Sequence, residues 1–526
     1  MNLLSLPILL PLFSGAVLLL LPKRALRTLM ALIAAILTLL VDLSILRTVL
    51  RGEVMVLQMS NWPAPWGISL VADGLTGIML ALSGLIALLT VMFASSSLAH
   101  EPRRGQSKTL NQLRERFGFQ ALLQFLIMGV NMSFLTGDLF NLFVAFEVML
   151  ISSYGLLLIG NELPQLREGF KYVVVNLLAS AVFVVAAGMM YGLVGTLNMA
   201  DISVKIAEYS SSHGADARLS LLAMMLALVF ATKAAVFPLG FWLPSAYPVP
   251  VAAASAFFAA LLTKVGVYSL IRTFTLLFPQ EQLIHTILLV LAAFSMLVGA
   301  FGMISQSRWR HTLAFANISS IGYLLMGVFT TGSAGMTGAL YYLIHTVLVI
   351  FCLFLIAALG EKIAGLKYTV EGHLNSYPWL GIAYFASALA LAGIPPSSGF
   401  IAKYSLISAS LRAGGTVNNW VAAAAVITGL LLLYATVEIW RGFFWGESHA
   451  VHKVVLPRGM TTTTVFSLAL VISLAVFSGP IYKLAQRTAE QLMTNEAYTK
   501  AVLVEVKTPR IGDPALPTDE LEEDTH

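Results

Sequence analysis

Long runs of apolar residues, separated by short polar stretches, make up most of this sequence. A helix that crosses a membrane needs about 20 largely apolar residues, and about fourteen runs meet this requirement. No run alternates apolar and polar residues as the strand of a membrane barrel does. The pattern therefore predicts an all-α polytopic membrane protein. The predicted spans are 2–22, 27–50, 71–98, 119–136, 139–160, 170–195, 219–243, 249–275, 283–304, 310–330, 335–360, 377–412, 418–444 and 461–485.

The composition agrees with this class. The chain has 526 residues, of which 58% are hydrophobic and 11% charged, whereas soluble domains carry about 25% charged residues. The single cysteine, Cys352, excludes an intrachain disulfide and a cysteine metal cluster. The net charge of +5 is small, and its basic residues lie in short loops, which argues against nucleic-acid binding. The first apolar run precedes its basic cluster and has no small-residue cleavage site, which predicts a retained helix.

Basic residues accumulate on alternate loops between the predicted spans. By the positive-inside rule, loops rich in lysine and arginine face the cytoplasm. With an even number of spans, both termini are then expected on the outer side of a bacterial cell membrane. The basic residues of the predicted cytoplasmic side are Lys23, Arg24, Arg27, Arg103, Arg104, Lys108, Arg114, Arg116, Arg167, Lys171, Arg308, Arg310, Lys362, Lys367, Arg441, Lys453 and Arg458, and those of the opposite loops are Arg51, Lys205, Arg218, Arg272 and Arg412.

Proline and glycine interrupt the seventh span, in VFPLGFWLPSAYPVP, and the twelfth, in LAGIPPSSGFIAKY. Backbone freed in this way is tolerated in a membrane only where protein or water covers it. Because the breaks lie five helices apart, they predict two inverted repeats, helices 4–8 and 9–13, with unrelated proline kinks as the alternative. The predicted divisions are 1–118, an N-terminal three-helix segment; 119–275 and 276–444, the two five-helix repeats; 445–485, a C-terminal helix; and 486–526, a solvated polar tail ending in TDELEEDTH.

Ionisable side chains stand within several predicted spans. They are Glu147, Lys233, Lys264, His345 and Lys403, spread over five helices. A charged group at the bilayer centre costs roughly 2.5–3.5 kcal/mol on insertion scales and usually marks an ion or proton path. Two unit charges ~4 Å apart attract by about 4 kcal/mol at an effective dielectric of 20. Opening a Glu147–Lys233 pair would therefore expel a proton, and closing it would recapture one, so these residues are predicted to carry protons.

Structural explanations compete with this prediction. Glu147 and Lys233 could form a static ion pair that fixes helix packing, and the other lysines could snorkel to a surface. His345 could be a core histidine bonded to a serine or to a backbone carbonyl. At the ends of helices we predict N-caps at Asp73 and Asp138 and a local pair between Glu438 and Arg441.

At these residues the chain is similar to the antiporter-like family shared by Mrp-type cation/proton antiporters and the membrane-arm pumping subunits of respiratory complex I. The similarity extends over nearly all the predicted spans. The segments that carry it are FVAFEVMLISSYGLLL, ATKAAVFPLGFWLPSAYP, ALLTKVGVYSL, RWRHTLAFANISSIGYLLMG and LAGIPPSSGFIAKY, together with the late VEIWRGFFWG.

This resemblance implies a proton-translocating subunit of a monovalent cation (Na+ or K+)/H+ antiporter, assembled with other Mrp subunits in the lipid bilayer, and not an enzyme. It implies an ion pair between Glu147 and Lys233, a central relay at Lys264 and a far station at Lys403. The chain departs from the family at Gly240, where many relatives have histidine, and at Ile350, where many have lysine.

Other functions remain as alternatives. One is a proton-pumping membrane subunit of a complex I or membrane hydrogenase assembly, whose chemistry within this chain would look the same. A membrane-bound haem or quinone enzyme is disfavoured because, of the histidines, only His345 lies clearly in mid-span. A scaffold is disfavoured by the buried lysines. Glu147 stands nearly alone among acids in mid-span, so the sequence indicates no metal site and no cofactor, and favours protons as the ion conducted by this chain.

Overall fold

The computed structural model describes residues 3–98, 118–214, 216–364, 374, 376–445 and 454–503. Within these ranges, twelve helices are long and apolar enough to cross a membrane, and two shorter apolar helices, Phe119–Leu135 and Pro378–Ala392, accompany them. The predicted all-α polytopic class is confirmed. The count of about fourteen spans stays a prediction.

Besides helices, the described residues contain one antiparallel hairpin of two short strands, β1 (Met55–Gln58) and β2 (Ser69–Ala72), between the second and third α-helices. A 3-10 helix at Leu239–Trp242 and π-helical turns at Phe258–Leu262 and Thr273–Leu277 interrupt the regular helices. The α-helices are α1 (Leu6–Leu20), α2 (Arg24–Val49), α3 (Gly74–Ser97), α4 (Phe119–Leu135), α5 (Leu139–Leu158), α6 (Leu163–Val194), α7 (Met199–His213), α8 (Ala217–Ala234), α9 (Leu243–Ala246), α10 (Ala252–Phe257), α11 (Thr263–Arg272), α12 (Gln282–Ser305), α13 (Trp309–Phe329), α14 (Ser333–Ala364), α15 (Pro378–Ala392), α16 (Ser398–Ala413), α17 (Gly415–Phe444), α18 (Arg458–Val476), α19 (Ser478–Thr494) and α20 (Glu496–Val502).

Burial separates central helices from peripheral ones. The most apolar stretches of the α10–α11 segment and of α14 are entirely buried, and that of α13 is nearly so. A helix that is apolar all round and buried all round belongs at the centre of a bundle. By contrast, α1, α2 and α18 bury only a third of their most apolar stretch. The ionisable residues Lys264 and His345 therefore lie on the most enclosed helices of the fold.

Both predicted helix interruptions are present. The first half of the seventh span, α8, ends at Ala234, and Ala235 then adopts a left-handed conformation with φ 59°. The first half of the twelfth, α15, ends at Ala392, and Gly393 follows with φ 87°. Gly240 is required in the first break, because a Cβ atom there would lie 2.3 Å from the carbonyl oxygen of Ala235. A larger side chain, such as the histidine that the resemblance led us to expect, would not fit this backbone.

The C-terminal segment differs from the solvated tail that the sequence predicted from residue 486. Helix α18 ends at Val476; α19 then packs mainly against α14 and also touches α3, and α20 reaches the hairpin strand β1. The Gln58 side chain donates to the Val502 carbonyl over 3.0 Å, and the Gln491 side chain accepts from the Gly74 amide over 3.1 Å. We call the end of the bundle formed by β1, β2, α19 and α20 the hairpin face.

The amphipathic character of α19 explains this difference. Its buried residues Ala485, Ala489 and Leu492 recur at helical spacing on one side, and the opposite side carries mostly polar residues. Such a helix is too polar for a span, but it covers apolar surface. The run TDELEEDTH lies outside the described residues.

Two arginines that the sequence placed in loops are buried instead. Arg272 on α11 and Arg310 on α13 are each 4% exposed, and they pair with Asp73 and Glu361 respectively. Both lay near the predicted ends of spans, where sequence does not distinguish a loop charge from an inward-facing one. The basic residues Arg103, Arg104, Lys108, Arg114, Arg116, Lys367 and Lys453 lie outside the described residues.

The smaller predictions at helix ends are confirmed. The Asp73 carboxylate accepts a hydrogen bond from the Thr76 amide over 3.0 Å, and that of Asp138 accepts one from the Asn141 amide over 2.8 Å. Glu438 and Arg441 pair at 3.0 Å.

The break before α16 depends on a glycine. A Cβ atom on Gly399 would lie 1.8 Å from the Ala390 carbonyl oxygen, so Gly399→Ala must push the two halves of the span apart. Overpacking of this kind costs about 1–3 kcal/mol. We expect a lower melting temperature and less monodisperse protein in size-exclusion chromatography of detergent extracts. The matched control is Gly442→Ala on α17, where nothing lies within 4 Å of the added Cβ; equal stability of the two variants would contradict the packing described.

Candidate functional site

The structure buries the predicted lysines and gives each one oxygen acceptors. Lys233, Lys264 and Lys403 are 4%, 0% and 5% exposed. Snorkelling therefore does not describe Lys264 or Lys403, because an ammonium that reached the surface would be exposed. An ammonium removed from water is tolerated where hydrogen-bond acceptors replace its hydration. The three lysines obtain these acceptors in three different ways.

At Lys233 a serine hydroxyl stands between the ammonium and the carboxylate. The Nζ atom of Lys233 donates to Oγ of Ser180 over 3.2 Å, and Ser180 Oγ donates to Oε1 of Glu147 over 2.5 Å. No direct Glu147–Lys233 salt bridge within 4.0 Å is found among the described residues. The ion pair that the resemblance implies is therefore bridged. A hydroxyl accepts and donates at once, so it can pass a proton between its two neighbours.

Three helices converge on this bridged group. Glu147 comes from α5, Ser180 from α6 and Lys233 from the end of α8. The ring of Phe146 lies 4.9 Å from the Lys233 ammonium, a cation–π contact that further shields the charge. Helix α11 touches the same place, since a Cβ on Gly266 would lie 2.9 Å from the Lys233 carbonyl carbon. The helix that carries Lys264 is thus packed directly against Lys233.

Neutral oxygens surround the ammonium of Lys264. Its Nζ atom donates to Oδ1 of Asn317 over 2.6 Å and to the carbonyl oxygen of Ala259 over 3.0 Å. Ala259 lies in the π-helical turn Phe258–Leu262. Single π-turns occur often at functional sites because they disturb the regular backbone bonds. The irregular turn thus supplies an acceptor where no acidic side chain pairs with Lys264 among the described residues.

The broken span supplies the acceptors of Lys403. Its Nζ atom donates to the carbonyl oxygens of Leu391 and Ala392 over 2.9 and 3.0 Å. These are the last residues of α15, and the final carbonyls of a helix have no partner within it. They also form the negative end of the helix dipole, which favours a cation. The interruption and the lysine are therefore one feature, because the break exposes the oxygens that hold the charge.

Helix α13 connects the Lys264 and Lys403 positions. It carries Asn317 beside Lys264 and Tyr323, whose ring lies 4.5 Å from the Lys403 ammonium. The Tyr342 ring on α14 lies 5.5 Å from that of Tyr323.

His345 belongs to the same neighbourhood. Its ring lies 5.5 Å from that of Tyr342, and its Nδ1 atom lies 2.9 Å from the hydroxyl of Ser398, the first residue of α16. The serine contact fits both the core histidine and the proton-carrying histidine, so this alternative stays open.

Sequence analysis missed the residues that complete the site. Asn317 and Tyr323 both lie within RWRHTLAFANISSIGYLLMG, one of the segments that carry the family resemblance, whereas Ser180 had no signal of its own. It also missed Asp42 on α2, a fully buried acid whose carboxylate oxygens lack a hydrogen-bond partner among the described residues. In the described part of the chain, no three His, Cys, Asp or Glu side chains cluster in a way that could hold a metal ion.

Two buried ion pairs lie outside this row. Arg272 holds Asp73 with two hydrogen bonds of 2.8 and 2.9 Å. Arg310 holds Glu361 at 2.9 Å and also donates to the Pro250 carbonyl over 2.9 Å. Breaking such a pair by removing one partner typically costs about 3–5 kcal/mol, because a buried charge is left alone.

Comparison with known proteins gives consistent matches over the whole chain. A family model described as NADH:quinone oxidoreductase/Mrp antiporter, TM, matches residues 136–431. The chain is 39% identical over 511 residues to the D subunit of the Na(+)/H(+) antiporter of Alkalihalophilus pseudofirmus, covering 96% of this chain and 100% of that protein. It is 35% identical over 510 residues to the protein of the same name from Bacillus subtilis, with coverage of 96% and 100%.

Solved structures show the same fold. A chain of the Mrp complex from Dietzia sp. DQ12-45-1b matches with a TM-score of 0.85 at 28% identity, covering 96% of this chain and all of that one. A chain of respiratory complex I from Thermus thermophilus with bound NADH matches with a TM-score of 0.74 at 24% identity, covering 93% and 99%. A chain of an archaeal membrane-bound sulfane sulfur reductase matches with a TM-score of 0.83 at 20% identity, covering 94% and 99%.

The buried lysines, the two broken spans and these matches agree. The family model covers more than half of the chain, and the curated relatives match it from end to end. This multi-pass membrane chain belongs to the NADH:quinone oxidoreductase/Mrp antiporter family, and within that family it is similar to the D subunit of Na(+)/H(+) antiporters.

Proposed function

We propose that this chain is the proton-translocating subunit of a multisubunit Mrp-type Na+(K+)/H+ antiporter, and that protons pass along Glu147, Lys233, Lys264, His345 and Lys403. The proposal rests mainly on the row of three buried ammonium groups. Each of them donates to nearby oxygens of a hydroxyl, a side-chain amide or a backbone carbonyl. Intramembrane ionisable groups that are kept at such cost mark proton paths. The names of the relatives point to the same activity.

The bridged group at one end of the row works as the switch. A proton moves from Lys233 Nζ to Ser180 Oγ while the serine gives its own proton to Glu147, so that both partners become neutral. The reverse transfer restores the two charges. Since charged and neutral pairs differ strongly in low-dielectric surroundings, this transfer alters the field at Lys264, whose helix packs against Lys233.

Lys264 then acts as the central relay. An ammonium on Lys233 disfavours a second positive charge nearby, so neutralising Lys233 favours a proton on Lys264. From there the proton reaches Lys403 through the polar side of α13 and the ring cluster around Tyr342, with His345 and bridging water as the intermediate carriers.

The row suits protons better than a metal ion. Na+ and K+ require several oxygen ligands converging on one point, whereas this row contains one carboxylate and three amines. We therefore propose that the metal ion crosses another part of the complex, and that the coupling between the two ions acts through the charge state of this row.

We also propose an orientation in a bacterial cell membrane. The exposed basic residues Arg24, Arg167, Lys171 and Arg458 lie at helix ends remote from the hairpin, and such residues favour the cytoplasmic side. The hairpin face is then the outer face, and both chain termini lie on the outer side.

The second candidate is a proton pump whose energy comes from redox chemistry in a neighbouring protein, and the shared fold with chains of complex I and of the archaeal sulfane sulfur reductase motivates it. Purification of the tagged protein from its native membrane, with identification of its partners, separates the two. We expect the other Mrp subunits. Flavin- or iron–sulfur-containing subunits in stoichiometric amounts would favour the redox assembly and contradict the antiporter.

Cation/proton exchange should depend on the buried lysines. We expect Lys233→Ala and Lys264→Ala in the complete complex to lower Na+- or K+-dependent collapse of a pH gradient in everted vesicles at least about tenfold, because a proton relay of this kind contributes about 10²–10⁴-fold. Lys171→Ala is the matched control, since this lysine is exposed and pairs with Glu168 at the surface. Normal exchange at equal amounts of assembled complex would contradict the assignment.

Exchange should also depend on the bridging hydroxyl of Ser180. Ser180→Ala removes the group that joins Lys233 to Glu147, so we expect a loss of exchange of about tenfold, with Ser180→Thr retaining most of it. Ser152→Ala on α5 serves as the control, because Ser152 donates only to the Val148 carbonyl of its own helix. If Ser180→Ala exchanged as fast as the Ser152 variant, the bridge would be structural only.

A further inference from the structure

A second line of polar groups runs from Lys264 toward the hairpin face. Lys264, Tyr268 and Arg272 follow each other at intervals of four residues on α11. Residues at this spacing lie on one side of a helix, about 6 Å apart along its axis. The line therefore begins at the proposed central relay and ends beside the hairpin face. Tyr268 lies within the segment ALLTKVGVYSL, but neither the antiport row nor the family resemblance assigns a role to Tyr268 or Arg272.

The first step along this line is a pair of hydroxyls. The Tyr268 hydroxyl donates to the Phe134 carbonyl over 2.6 Å and lies 3.0 Å from the hydroxyl of Thr76. Thr76 also lies 3.4 Å from a guanidinium nitrogen of Arg272. Hydroxyls that touch each other in this way accept one proton and release another.

The second step is the Asp73–Arg272 pair. Arginine does not release its proton in proteins, and the two hydroxyls only pass protons on. The Asp73 carboxylate is therefore the acceptor of this cluster, and the titratable groups that face it from the described residues are Arg272, Tyr268 and Tyr498. It stands at the N-cap of α3, where that helix reaches the hairpin face.

The C-terminal helices cover this pair. The Tyr498 ring on α20 lies 4.8 Å from the guanidinium carbon of Arg272. The Asn495 side chain, at the junction of α19 and α20, donates to the Thr275 carbonyl at the end of the same span. The Gln491 side chain accepts from the Gly74 amide, next to Asp73. Three separate contacts thus fix the C-terminal segment over the point where Asp73 would meet solvent.

We propose that Tyr268, Thr76 and Asp73 form the outer section of the proton path, and that Tyr498 and its helix close this section. The inference rests on the proposed function and adds, to the passage from Lys264 to Lys403, a branch by which a proton moves between Lys264 and the hairpin face. Because the Lys264 ammonium is held by Ala259 and Asn317, the proton passes from it to the Tyr268 hydroxyl through bridging water. Tyr268 releases its own proton to Thr76, and Thr76 in turn gives one to the Asp73 carboxylate. Asp73 then gives the proton to the hairpin face, while Arg272 stays charged and draws the carboxylate back into its pair.

The closure explains why a buried ion pair stands at the exit. While the pair is intact, Asp73 is ionised and fully bonded, so it does not offer a standing route for protons to leak. Displacement of Tyr498 and α20 loosens Arg272 and admits a proton to Asp73. If the Asp73–Arg272 pair served only to hold α3 and α11 together, disturbing its cover would not change proton flow.

The test measures proton leak through the intact complex in vesicles without Na+ or K+. We expect Tyr498→Leu, which removes the ring over Arg272, to raise this leak several-fold, while Tyr498→Phe, which keeps a ring there, leaves it unchanged. Adding Tyr268→Phe should suppress the leak of Tyr498→Leu, because the hydroxyl route is then interrupted. The matched control is Tyr384→Phe in the same background, since Tyr384 is another buried tyrosine that donates to a carbonyl, that of Thr436, over 2.9 Å; this change should not suppress the leak.

An unchanged leak in Tyr498→Leu, or a leak that persists after Tyr268→Phe, would overturn the inference. If the Tyr498→Leu complex does not assemble, Asn495→Gly removes the bond to Thr275 while glycine tolerates the left-handed backbone at this position, φ 51°, and it carries the same expectation. A failure of the exit route can be distinguished from a failure of the proposed function. Loss of exchange in Lys264→Ala together with an unsuppressed leak rejects the exit route alone, whereas normal exchange in that variant together with a suppressed leak rejects the relay alone.

Discussion

The structure depends on how an ammonium group is kept at bilayer depth without water. Each buried lysine is held by oxygens that replace its hydration. Lys403 uses the terminal carbonyls of a broken helix, Lys264 a carbonyl of a π-helical turn with the Asn317 amide, and Lys233 a shared serine hydroxyl. At Lys403 and Lys264 irregular backbone supplies acceptors for the charge, so at these two positions the irregularity and the lysine are linked. The enclosed position of α10, α11 and α14 follows from the same need, since lipid cannot cover freed backbone groups.

Much of this was predictable from the sequence, for physical reasons that can be named. Hydrocarbon admits only apolar helices or closed barrels of alternating strands, so the class was readable from the long apolar runs. Clustered prolines and glycines interrupt a helix, so the two breaks were visible, and a lysine in an apolar run stands out by its insertion cost. Ser180 had no such signal, because a single serine costs little in a membrane helix and its role arises only where α5, α6 and α8 meet.

The differences between sequence and structure also have physical causes. Arg272 and Arg310 lie near span ends, where loop charges and inward-facing charges look alike until their partners are known. The segment after residue 486 looks like a solvated tail because α19 is short and mostly polar, yet its apolar side covers the bundle. Asp42 lies on a peripheral helix far along the chain from either break, so nothing in its sequence neighbourhood marks it. These are cases in which tertiary contacts, and not local composition, decide what a residue does.

The central claim is that the buried lysines exchange protons and do not serve as fixed charges. The most direct measurement is cation-dependent collapse of a pH gradient by the complete complex that carries Lys264→Arg. Arginine keeps the positive charge and the hydrogen-bond donors but does not give up its proton. The account predicts an assembled complex whose exchange rate falls to that of vesicles without antiporter. Exchange at the rate of the unmodified complex would contradict it, because a fixed charge would then be sufficient.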